Sequence, residues 1–109
     1  MALDLTELAN NMAAAAKEVL TESWDDIQPL AEANLFLLAE GITSIEEKFL
    51  LGDISEEKAK KLLRMKKNTL EIALLTIEGL SLIAVEQAIN AALNIVKDAV
   101  NSALNFSLI

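Results

Sequence analysis

Apolar residues recur at spacings of three and four through nearly the whole chain, and that rhythm fixes the class of fold. Leu5, Leu8, Met12, Ala15 and Val19 mark one face of a first helix, with Asn10, Asn11, Lys17, Glu18, Thr21 and Glu22 on the opposite side. Leu70, Leu74, Ile77, Leu80, Ala84, Ala88, Ala91 and Ile95 hold a second register in the C-terminal half. Hydrophobic residues make up 53% of the chain but aromatics only 4%, with one Pro and three Gly, a composition that disfavours a sandwich or barrel of short strands. The chain is predicted to be all-α and, at 109 residues, a single helical domain spanning 1–109.

Breaks in the rhythm set the topology. Between Thr21 and Asp26 only Trp24 is apolar, and Pro29 follows Asp25 and Asp26, which can cap a new helix start. This predicts a kink or short break, then a second helix from about Ile27 to Leu51, with a weak point at Gly41 ahead of the capping-box pattern Thr43-Ser44-Ile45-Glu46-Glu47. The strongest punctuation is Gly52-Asp53-Ile54-Ser55-Glu56-Glu57. Gly52 suits a left-handed C-terminal cap, Asp53 or Ser55 can cap the next helix, and Glu56 and Glu57 fall in its positively polarised first turn. Beyond it the apolar phase passes straight through Gly79, which predicts one helix of about 50 residues, some 75 Å long, ending near Phe106. The expected fold is a long kinked antiparallel hairpin that dimerises into a four-helix bundle. The alternative is a monomeric up-down bundle with breaks near 23–26, 52–54 and 79–81.

Folding back about Gly52-Asp53 sets residue i against roughly residue 106 − i. Two compositional matches favour that register. Ala13 to Ala16 fall opposite Ile89 to Leu93, so small residues meet small residues, and Glu40 and Glu46 fall opposite Lys66 and Lys60.

The available chemistry is thin. The chain has no Cys, His or Tyr, which removes disulfides, thiolate and imidazole metal ligands and every His-dependent acid–base arrangement. Ser23, Ser44, Ser55, Ser81, Thr69 and Thr76 have no imidazole to activate them, and no Gly-rich phosphate loop is present. No enzyme activity, cofactor or metal is expected. Glu71 and Glu78 fall within the apolar arc of the C-terminal helix, a placement that in di-iron bundles accompanies Glu-x-x-His motifs, none of which exist here; these carboxylates are expected to reach a bundle edge or to meet Lys or Asn across an interface.

Seventeen acidic residues oppose nine basic ones, and six of the nine lie between Lys58 and Lys67. The remaining surface is strongly acidic, which disfavours binding to nucleic acid or anionic membranes. Only Lys60, Arg64 and Lys67 of the basic run form a stripe, without aromatic residues between them, so the run is expected to be a solvated helix end neutralised by Glu46, Glu47, Glu56 and Glu57. The N-terminus Met1-Ala2-Leu3-Asp4-Leu5-Thr6-Glu7 lacks the basic start and apolar run of a secretory signal, and the longest uncharged stretch, Ala99 to Ile109, is too short to span a bilayer; a cytoplasmic location is expected.

The last 40 residues point to function. Leu70 to Ile109 carries five charges where Glu40 to Lys67 carries thirteen, and the apolar arc of the C-terminal helix covers about 200°, wider than one partner helix needs. Leu80 and Ile83 even interrupt its polar stripe of Gln87, Asn90, Asn94, Lys97, Asn101 and Asn105. Surplus apolar surface marks an interface. Leu80, Ile83, Val85, Leu93, Val96, Val100 and Leu104 are the expected contacts to a second copy, making the chain a non-catalytic assembly module that forms a homodimer. Alternatives are an adaptor or chaperone for another helical protein, or a helical carrier of an apolar small molecule or lipid.

Overall fold

The computed structural model describes residues 3–109, which form four α-helices and no strand: α1 (Leu5–Leu20), α2 (Trp24–Leu50), α3 (Glu56–Leu75) and α4 (Leu82–Leu104). The readings placed on Met1 and Ala2 lie outside the described residues. Helix α2 sets the length of the molecule, since 27 residues span about 40 Å at 1.5 Å each and the long axis is 42 Å.

Local signals place the helix ends. The side chains of Asp4, Ser55 and Ser81 accept hydrogen bonds from the backbone N–H of Glu7, Lys58 and Ala84 at 2.9, 3.1 and 3.1 Å, so each occupies the N-cap and satisfies one of the donors left unpaired in the first turn. At the turn after α2, Gly52 adopts φ 80°, its N–H bonds to the Phe49 carbonyl at 3.0 Å and the Asp53 N–H reaches the Lys48 carbonyl at 2.9 Å. This paired motif closes a helix with a left-handed residue, and Gly52 supplies it without a Cβ penalty. Gly41 and Thr43 do not interrupt α2; the Thr43 hydroxyl donates to the Glu40 carbonyl at 2.9 Å within the helix.

The all-α expectation holds, and the arrangement is the four-helix alternative. Two features of the hairpin reading are corrected. The segment at 21–23 is a turn between packed neighbours, so α1 folds back along α2. The long helix from Glu56 to Phe106 does not exist, because Thr76 to Ser81 breaks it: Gly79 sits at φ 92°, the Leu80 N–H bonds to the Ile77 carbonyl at 3.3 Å, and Ser81 caps the new helix. The apolar phase survived this loop because Ile77 and Leu80 are half-buried and pack on the core from within it. Their hydrophobicity serves the turn as well as it would serve a helix.

Each helix packs beside its sequence neighbour, and α1 closes the ring against α4 in the most extensive contact of the molecule. Leu8 and Asn11 share a shallow groove with Ile95, Val96 and Ala99, which is an antiparallel register close to 106 − i; continued along both helices, it brings Ala13 to Ala16 level with the stretch around Ala91 and Ala92. Ala16, Ala88 and Ala92 are buried there. On the other flank, a Cβ built on Gly41 would lie 3.1 Å from Cγ of Lys66, again close to that register. Past α4, Asn105 takes the left-handed conformation at φ 62° and the tail folds back. The Asn101 side chain accepts from the N–H groups of Leu108 and Ile109 at 2.9 and 3.1 Å, Leu108 is buried, and Phe106 packs on Phe49 with ring centroids 4.8 Å apart. The tail thereby plugs the end of the bundle beside the Gly52 turn.

Close approach of α1 and α4 makes the small residues between them essential. Replacing Ala92, which has no exposed surface, by Leu is expected to lower the unfolding free energy by roughly 1–3 kcal/mol through overpacking; an unchanged urea midpoint would show that the helices have room to spare.

Candidate interaction surface

Five of the seven residues expected to meet a second copy are instead consumed inside the chain. Val85, Leu93, Val96, Val100 and Leu104 are buried in its own core, and Leu80 is half-buried. Only Ile83 is open, at 68%. This corrects the expectation of a surplus arc on the C-terminal helix: the arc is wide because α4 packs against α1 on one side and α3 on the other, with a minor contact to α2 across the middle. One partner helix would have left the arc uncovered; the bundle supplies three.

The paired carboxylates take the edge positions expected of them. Glu71 is half-buried at the α3–α4 seam in a small cleft with Lys67, Glu86, Ile89 and Asn90, while Glu78 is exposed in the loop that holds Gly79. Among the described residues no three acidic side chains come together as a metal cage would require.

The basic run behaves differently from its sequence reading. Lys58, Lys60, Lys61, Arg64 and Lys66 are exposed and Lys67 is half-buried, but among the described residues only Lys61 forms an ion pair, with Glu57 at 3.9 Å. Glu46 does not take part. It is fully buried on α2, and neither of its carboxylate oxygens has a hydrogen-bond partner among the described residues. Its place on the helix, one turn before Phe49, turns it away from α3 and leaves the lysines without it.

Open apolar side chains lie on α4, where Leu82, Ile83 and Ile95 are 50%, 68% and 58% exposed, and on α2 and α3, where they flank a groove. The groove, of about 440 Å³, runs between α2 and α3, lined by Leu37, Gly41, Ser44 and Lys48 on one wall and Leu62, Lys66, Thr69 and Leu70 on the other. Two features carve it: Gly41 and Ser44 offer little bulk, and the Lys66 stem lies across Gly41 where a larger residue would push it out. Leu30 and Leu37 on α2 are 48% and 58% exposed beside it, and Met65 and Ile72 on the outer face of α3 are 62% and 67% exposed. Helix α3 buries only the narrow stripe Ala59, Leu63, Leu70 and Leu74, which is why its other apolar residues are left outside.

Sequence reasoning missed these residues, although a signal was present. Leu35-Phe36-Leu37-Leu38-Ala39 is apolar on every side of the helix, and only Leu35, Leu38 and Ala39 reach the core. The excess on α2, compared with what one core-facing stripe requires, was as legible as that on the last helix. No helix of the described residues is long and apolar enough to cross a membrane. No protein-family model matches the chain, and no curated protein or solved structure is detectably similar to it.

A buried carboxylate without partners loses its hydration and gains nothing in return. Glu46→Met, which keeps an unbranched side chain of similar length, is expected to raise the unfolding free energy on the order of 1–3 kcal/mol, read as a higher urea midpoint.

Proposed function

We propose that the chain is a non-catalytic helical interaction module, working in the cytoplasm as a homodimer. The observation that carries this reading is the open apolar face formed by Leu30 and Leu37 of α2 with Met65 and Ile72 of α3, on either side of a groove between the two helices. Large aliphatic side chains gathered on both sides of a groove are what an interface leaves exposed when its partner is absent. The composition of the chain agrees with an assembly role: without His, its hydroxyls have no imidazole to activate them. A helical protein of different sequence is the second occupant such a groove could take.

Light scattering coupled to size exclusion tests the reading. A mass near twice 11.8 kDa is expected at micromolar concentration. A monomer persisting to millimolar concentration would exclude self-association and leave the groove for a different partner.

A further inference from the structure

We propose that the second copy docks on the α2–α3 face about a two-fold axis beside Leu37, so that α2 lies antiparallel on the partner's α2 and α3 antiparallel on the partner's α3. This rests on the self-association proposed above and adds its geometry. The stripe that flanks the groove on α2 is Asp26, Leu30, Ala33, Leu37, Ser44 and Lys48, all on one side of the helix. About a centre at Leu37, residue i meets residue 74 − i of the other copy. Leu37 then meets the partner's Leu37, Leu30 meets the partner's Ser44, and Asp26 meets the partner's Lys48. Small side chains at Ala33 and Ser44 allow the helices to come close. Asp26 and Lys48 are both exposed and form no ion pair within the chain among the described residues, so the contact supplies each with a partner, twice by symmetry.

Helix α3 gives the same orientation independently. Its contact with α2 puts Thr69 level with Leu37. All six cations of α3 lie on the Gly52 side of that level, from Lys58 to Lys67, and the other side carries Glu71 and Glu78 and no cation up to the start of α4. A two-fold axis at Thr69 therefore sets the basic half of one α3 against the uncharged and acidic half of the other. It also brings Met65 level with the partner's Ile72. A parallel arrangement would stack six cations on six, a repulsion that would oppose association. The face also has the size a dimer needs. It is about 33 Å long from Asp26 to Lys48 and two helices wide, roughly 600 Å² per chain, at the lower end of what stable interfaces bury.

Four variants test the geometry, each checked for retained helix content by circular dichroism. Leu37→Glu, at a position exposed in the single chain, is expected to give a folded monomer. Lys48→Asp should weaken the dimer about ten-fold by setting two acids against two acids, and adding Asp26→Lys should restore it to within about three-fold of the parent. Ile83→Glu, on the exposed start of α4, should leave the dimer intact. A parent dimer that persists in Leu37→Glu, or a Lys48→Asp loss that Asp26→Lys does not repair, would overturn this interface while leaving self-association standing. A monomeric parent would overturn both.

Discussion

The contact between α1 and α4 is the constraint on which the rest of the structure depends. It joins the two ends of the chain, and without it the bundle would be an open row of helices with the wide apolar arc of α4 in water. Small residues suit it: Ala16 on one helix and Ala88 and Ala92 on the other are buried in the core at levels that the register brings together. Closing the ring this way turns Val85, Leu93, Val96, Val100 and Leu104 into the interior of one molecule. A second molecule is not needed to cover them.

Closure on one flank leaves the other flank lightly built. Helix α3 is the most polar of the four and buries only four residues, while α2 carries more apolar side chains than its neighbours can cover. The groove between them follows from that imbalance, widened by Gly41 and Ser44 and bridged by the stem of Lys66. Function, on this reading, sits where packing within the chain is least complete, with opposite charges at Asp26 and Lys48 marking the two ends of the face. The buried Glu46 belongs to the same helix but to its other side, and it stands as a cost to stability in a core that is otherwise apolar.

Much of the fold was legible in the sequence, for reasons that differ by element. The Gly52 turn could be read because its motif is local: a left-handed residue, two backbone hydrogen bonds and a serine cap three residues on are encoded within a few positions. The 106 − i register could be read because consecutive alanines occur only at Ala13 to Ala16 and at Ala91 to Ala92, so the two runs single each other out. The break at Gly79 was hidden because Ile77 and Leu80 continue the helical phase while serving a loop. The position of the open face was hidden for a related reason: an apolar arc of given width records how much surface must be covered, and not which neighbour covers it.

The sequence by itself determined that the chain is helical, that a cap falls at Asp53 or Ser55 and that the chain turns at Gly52, because periodicity and capping act over one to three turns of backbone. Only the tertiary structure decided that α1 and α3 flank α4, that Val85, Leu93, Val96, Val100 and Leu104 are core, that Glu46 has no hydrogen-bond partner among the described residues, and that Leu30, Leu37, Met65 and Ile72 remain outside. Those outcomes depend on which helices become neighbours, a choice made by the summed packing of the whole bundle and written in no single stretch of it.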